Sequence, residues 1–247
     1  MNALMYLDPF YSRDGHYFTI SAEQGSRFAK EMASDFNPLH NPDSKRFCVP
    51  GDLLFALVLT HYGISPQMTF LFKEMVPADT ALDFSPSDAD ELHICLPNNK
   101  ACLSVERTGT PVFRPDLLEN FSRDYVAFSG QNFPHALHPL FREHNVMLNP
   151  TRPTVIYERM SFELDTTATD APQLAFAATD LKVSGKRGEV NLDFTMKQGE
   201  REIGRGYKRL LLSGLRPYDD AVATALVAEY EASKAAYYAA QNNANAH

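Results

Sequence analysis

Asp35-Phe36-Asn37-Pro38-Leu39-His40, followed by Pro50-Gly51-Asp52 and the apolar run Leu53 to Tyr62, is the stretch that organises this chain of 247 residues. It sets a carboxylate and an imidazole a few residues apart around an Asn-Pro turn. Asn tolerates unusual backbone angles, Pro38 fixes its own φ, and Asn37, preceding a proline, is pushed away from helix. Asp35 and His40 can therefore be aimed at one point, which a continuous helix or strand would not guarantee. A carboxylate and a histidine within reach of one substrate make a general acid–base pair. The Leu53–Tyr62 run is apolar nearly all round, which predicts an enclosed helix. Asp52 sits in its first turn, where a carboxylate suits the positive end of the dipole, and Gly63 is a C-terminal stop.

These residues resemble the signature of the MaoC-like, R-specific enoyl-CoA hydratases of the hot-dog fold. That signature runs Ser-Gly-Asp-x-Asn-Pro-(aliphatic)-His, then a His-Gly-Met step into a long buried helix. Asp35, Asn37, Pro38, Leu39 and His40 keep its register, with Gly51 and the apolar helix at about the right distance. Ser34 stands where the signature has Gly, Pro50 where it has His, and Asp52 where it has Met. The chain also resembles an uncharacterised bacterial family of similar length, which supplies a fold but no activity.

Along the chain, Tyr17 to Ile20 reads as a short strand. Ser21 with Gln24 three residues on is a capping-box pattern that starts a helix running to about Ala33. After the buried helix, Met68 to Val76, Thr80 to Phe84, Glu91 to Leu96 and Ala101 to Arg107 are strand-length segments separated by turn residues. The second half repeats this order. Asp124 to Phe128 is expected as a strand and Pro139 to Met147 as a short helix. Strands follow at Ile156 to Leu164, Gln173 to Val183, Glu189 to Lys197 and Glu202 to Leu212. Ser129-Gly130-Gln131-Asn132-Phe133-Pro134-His135 looks like a decayed copy of the first motif, without its carboxylate. From Tyr218 to about Gln241 an Ala-, Glu- and Tyr-rich segment predicts a helix, packed outside the sheet or against a partner, with Asn242 to His247 loose. The expected fold is α+β: a double hot-dog, an antiparallel sheet wrapped around a buried helix and repeated twice, with a C-terminal helix. The expected units are 1–115, carrying the motif, a degenerate 116–216, and 217–247 as helix and tail.

Composition excludes several function classes. A formal net charge of −8 argues against a nucleic-acid surface, which needs clustered Lys and Arg. Lys45 and Arg46 form a local basic spot that could meet a CoA phosphate. No apolar run approaches a membrane span, and Met1 to Phe10 lacks the pattern of a signal peptide. Cys48, Cys95 and Cys102 have no metal spacing and point to a reducing cytoplasm. A two-residue turn at Asn98-Asn99 would set Cys95 opposite Cys102, as two small buried apolar side chains. His61, His93, His135, His138 and His144 share no metal-ligand spacing, so no metal is expected. Phosphate-loop, dinucleotide and Gly-x-Ser-x-Gly patterns are absent, so no cofactor is expected.

What the MaoC-like resemblance implies is hydration or dehydration at the β-carbon of a 2-enoyl or 3-hydroxyacyl thioester, carried by CoA or acyl carrier protein. Asp35 and His40 would hold the water and move the protons, with Asn37 orienting them. Backbone amides at the start of the buried helix, Gly51 above all, would meet the thioester oxyanion. Asp52 brings a negative charge close to that position, which opposes catalysis unless it is protonated or turned away. The rivals are a hot-dog thioesterase, a non-catalytic acyl-CoA or fatty-acyl-binding protein, and a purely structural protein. Hot-dog units pair their sheets, so the halves would form a pseudo-dimer, with a further homodimer open.

Overall fold

Helix Gly51–Tyr62 carries almost no polar surface, and in the computed structural model the rest of the chain is arranged to cover it. The structure describes residues 5–168 and 172–244. In chain order the elements are β1 (Ser12–Asp14), β2 (Tyr17–Thr19), α1 (Ala22–Glu31), α2 (Gly51–Tyr62), β3 (Gln67–Phe72), β4 (Leu82–Asp83), β5 (Glu91–Cys95) and β6 (Ala101–Thr108). There follow α3 (Pro115–Ser129), α4 (Leu137–Glu143), β7 (Val146–Met147), β8 (Val155–Leu164), β9 (Gln173–Ser184), β10 (Arg187–Gln198), β11 (Arg201–Ser213), β12 (Arg216–Pro217) and α5 (Asp220–Ala244). None of the described helices is long and apolar enough to cross a membrane.

One antiparallel sheet of ten strands runs in the order β1-β2-β4-β5-β6-β3-β8-β11-β10-β9. The first six strands come from the N-terminal half and the last four from the C-terminal half. The seam between them is β3 against β8, in register from Gln67↔Glu163 to Leu71↔Arg159. The architecture is an α+β double hot-dog with a C-terminal helix. Seven consecutive residues of α2, Leu53 to Leu59, are buried, as an all-round apolar helix requires. Its termini are handled separately. Gly63, at φ +77°, ends the helix and donates its N–H to Leu59 O at 2.9 Å. Buried Arg107 donates from its guanidinium to the Tyr62 carbonyl at 2.9 Å, a cation placed at the negative end of the dipole.

The expected capping box opens α1. Ser21 Oγ accepts from Gln24 N–H at 3.1 Å, and Gln24 Oε1 accepts from Ser21 N–H at 2.9 Å. The long strands of both halves match the sequence reading within a few residues, except that the segment expected over Met68–Val76 ends at Phe72 and Thr80–Phe84 shrinks to Leu82–Asp83.

Three expectations are corrected. Asp124 to Phe128 is not a strand but the last turns of α3. Leu117, Leu118, Phe121, Ser122, Tyr125, Val126, Phe128 and Ser129 are its buried positions, a largely helical period that the intervening polar residues obscure when only the short apolar run is read. This helix, with Pro115 at its first turn, packs beside α2 through Phe55 and Tyr125, whose ring centroids lie 4.5 Å apart. Its rings also meet the C-terminal half of the sheet, Phe121 against Phe162 at 5.0 Å and Tyr125 against Phe194 at 5.8 Å. Of the short helix expected over Pro139 to Met147 only the part up to Glu143 is helical, within α4, while Val146–Met147 is β7; α4 covers a smaller core with Leu181, Val190, Leu192, Leu210 and Leu212. Second, Cys95 faces Ala101, not Cys102, because the register shifts after Ile94. Third, α5 runs past its expected end near Gln241. It continues helical through Asn242 to Ala244, where a loose tail was expected, and packs by its tyrosines on the end of α1 and the Asp35 turn. The rest of that tail, residues 245–247 with His247, and the first four residues of the lead-in lie outside the described residues.

Gly130, just past α3, lies directly against Ala33, just past α1. A methyl there would sit 1.5 Å from the Ala33 carbonyl oxygen, so Gly130→Ala must push the ends of α3 and α1 apart. Overpacking of this kind costs roughly 2–3 kcal/mol. Thermal unfolding of Gly130→Ala is therefore expected to shift Tm down by about 5–10 °C; an unchanged Tm would contradict the enforced contact.

Candidate functional site

The Asp35 turn is fixed by its own backbone and polar groups. Asp35 N–H donates to Ala29 O at 2.8 Å, anchoring the turn to α1. Asp35 Oδ1 accepts from Asn37 N–H at 2.9 Å, and Asn37 Oδ1 accepts from Leu39 N–H at 3.1 Å. Asn37 thereby caps a single 3-10 turn, Pro38–His40, which brings His40 back over Asp35. Cys48 N–H donates to Leu39 O at 3.0 Å, while its carbonyl accepts from His40 Nδ1 at 2.8 Å. A carbonyl only accepts, so Nδ1 carries the hydrogen and the neutral ring presents a bare Nε2. That Nε2 lies 3.6 Å from Asp35 Oδ2. The gap is too long for a hydrogen bond, yet one oxygen atom can contact both groups at about 2.8 Å.

Both side chains open onto a cavity of about 1050 Å³, at the upper end of the range for small-molecule sites. Asn37, Gly51 and Asp52 line the same cavity, so all five residues singled out from the sequence converge there. Lys45 and Arg46 do not; they are exposed and lie outside its wall, where Lys30 and Lys73 stand instead. Gly51 opens α2 after Pro50, which makes no side-chain cap bond. Its Cα faces aromatic rings closely enough that a Cβ would meet Tyr157 Cδ1 at 3.0 Å and Phe72 Cε1 at 3.3 Å. Leu53 and Leu54 N–H already donate to Pro50 O at 3.1 and 3.3 Å, which leaves the amides of Gly51 and Asp52, two residues of the cavity wall, as the free donors at the α2 N-terminus.

Asp52 is more than a helix-start residue. It is 8% exposed, and Ser129 Oγ, from the end of α3, donates to its Oδ2 at 2.7 Å. Lys208, from β11 and equally buried, bonds Ser129 Oγ through Nζ, which lies 4.0 Å from Asp52 Oδ1. The same Nζ stands 3.9 Å from the centroid of the Tyr157 ring, a cation–π contact. Tyr157 OH in turn bonds Tyr125 OH. Burial pushes the Asp52 carboxyl up from its ordinary range, while Lys208 and then Ser129 pull it back. Burial pushes Lys208 down, with Asp52 and then Asp35 opposing the shift.

Sequence reading missed Ser129, Lys208, Tyr157 and Tyr230. Lys208 left a signal: it shares the inward face of its strand with Leu210 and Leu212 by strict alternation, and an inward lysine on an apolar face needs a partner. Tyr230, on α5, grips both peptide groups flanking Asp35. Its hydroxyl accepts from Phe36 N–H at 3.2 Å and donates to Ser34 O at 3.1 Å. Ser34 itself is left-handed, at φ +53°, where the resembled signature carries Gly.

A family profile described as "Protein of unknown function (DUF3581)" matches residues 5–221. The chain belongs to that family. No curated protein matches it. Among solved structures it is similar to a protein described as a thioesterase II from Thermobifida fusca, at 10% identity and TM-score 0.43, covering 86% of this chain and 99% of the other. A MaoC-like dehydratase aligns at 9% identity and TM-score 0.43, covering 85% of this chain and 99% of that one. A conserved hot-dog protein of unknown function from Alicyclobacillus acidocaldarius gives 9% identity and TM-score 0.43, with 86% and 99% covered.

Two substitutions check the clamp on this DUF3581 member. Tyr230→Phe leaves a peptide N–H and a carbonyl beside Asp35 without their partner and should cost about 1–2 kcal/mol in urea unfolding. Ser34→Gly relieves the left-handed backbone and should recover up to about 1 kcal/mol. A Ser34→Gly chain less stable than the parent would count against strain at that position.

Proposed function

We propose that this protein is an acyl-thioester hydratase/dehydratase, acting on 2-enoyl or 3-hydroxyacyl thioesters of CoA or acyl carrier protein. The supporting observation is the pairing of His40 Nε2 with Asp35 Oδ2 at 3.6 Å on the wall of a large cavity. Water held between the two loses a proton to one of them as its oxygen attacks the β-carbon. That same proton, relayed between Asp35 and His40, is then delivered to the α-carbon, so that the water adds across the double bond and both groups return to their starting state. Negative charge that grows on the thioester oxygen meets the amides opening α2 at Gly51 and Asp52. Asn37 holds the carboxylate and imidazole in register. Val49, Leu54 and Phe72 supply apolar wall for the acyl portion, and Lys30 and Lys73 supply cations for the phosphates of a CoA carrier.

The reaction removes the conjugated enoyl-thioester chromophore, so loss of its absorbance with short and medium trans-2-enoyl-CoA is the direct assay. Turnover is expected in the wild type, reduced about 100-fold or more in Asp35→Asn and in His40→Ala. Release of free thiol without loss of the alkene would replace hydration by thioester hydrolysis. A melting-temperature rise with neither reaction would mark a non-catalytic acyl-binding protein.

A further inference from the structure

The start of α2 poses an electrostatic problem. An anionic oxygen held by the amides of Gly51 and Asp52 would sit beside the Asp52 carboxylate and near that of Asp35. Two negative charges there oppose the charge that hydration has to build. The structure supplies a remedy from the opposite half of the molecule. Lys208 Nζ bonds Ser129 Oγ, Ser129 Oγ bonds Asp52 Oδ2 at 2.7 Å, and Lys208 Nζ stands 4.0 Å from Asp52 Oδ1. Asp52 Oδ1 has no hydrogen-bond partner among the described residues. The pair is thus held by charge and by the serine between them. The titratable groups around it are Asp35 and His40 on the cavity side and Tyr125 and Tyr157 on the core side.

Burying such a pair is costly, and a packed apolar pair would usually serve stability as well or better. All three residues line the cavity that holds Asp35 and His40. We propose that Lys208 is a positioning residue that, through Ser129, cancels the charge of Asp52 at the mouth of α2, so that an enolate oxygen can be held there. This rests on the acyl-thioester reading and deepens it. Lys208 acts through Asp52 and the local potential; it need not touch the substrate.

The test uses the sign of the charge. Acetoacetyl-CoA is a 1,3-dicarbonyl thioester whose enolate absorbs in the near ultraviolet, so its bound enolate fraction reports the potential at the oxyanion position without turnover. Asp52→Asn leaves Lys208 in place and should raise that fraction above wild type. Lys208→Met leaves Asp52 uncancelled and should lower it, with the double variant close to wild type. In hydration, Lys208→Met should reduce kcat about 10- to 100-fold with KM little changed. Should Lys208→Met fail to fold, Asp52→Asn is compared with the double variant, and a higher enolate fraction in the former is expected. A pair that only holds the halves together predicts that Asp52→Asn and Lys208→Met fall alike, and that result overturns the proposal. So does a wild-type enolate band indifferent to every variant, or absent. If the band orders as expected while no enoyl-CoA is hydrated, the reaction assigned to the site falls and the role of Lys208 stands.

Discussion

A twelve-residue helix with no polar face cannot remain in contact with water, and that constraint shapes everything around α2. Burial of its side chains drives a sheet to curl over it on one side and a second helix, α3, to lie along the other. Only the termini of such a helix retain polar groups that need partners. At the C-terminal end, Arg107 bonds the Tyr62 carbonyl and Gly63 closes the last turn. At the N-terminal end the amides open onto a cavity. The same burial that forces the fold therefore leaves the α2 N-terminus as the place where an anionic oxygen finds donors already oriented.

The second dependence is between the halves. Asp52 comes from α2, Ser129 from α3 and Lys208 from β11, so the cavity wall draws on both halves of the sheet, which pair along β3 and β8. Gly130 permits the approach, because the Ala33 carbonyl occupies the place of any β-carbon there. The result joins a buried charge pair to the turn that presents Asp35 and His40. Ser129 to His135, expected as a decayed copy of the first motif, begins at the last residue of α3 and follows that helix, whereas the Asp35 turn precedes α2, so it does not hold the motif's place in the fold; what the C-terminal half contributes is the cation that stands opposite Asp52.

The turn is stiffened a third time from α5. Tyr230 bonds the peptide groups on either side of Asp35, while the rings of Tyr230, Tyr237 and Tyr238 surround Phe36 at centroid distances of 6.0, 5.8 and 5.9 Å. Ser34 pays for its left-handed backbone within this frame. The family match ends at residue 221, so Tyr230 stands outside the matched span.

The sequence by itself determined the features that depend on neighbours a few residues away. The enclosed helix after Gly51, the Ser21–Gln24 capping box, the long strands and the meeting of Asp35 with His40 around an Asn-Pro turn were all legible, because local sterics and periodicity encode them. Even there, α3 was misread where polar residues interrupted its apolar period, and a one-residue register shift moved Cys102 out of line with Cys95. Only the tertiary structure decided that Ser129 and Lys208, 77 and 79 positions from the groups they bond, would meet at Asp52 and between themselves. It alone brought Tyr230 to the Asp35 turn. Such contacts follow from how the sheet halves pair and how the helices pack on them, and no local pattern in the chain specifies that geometry.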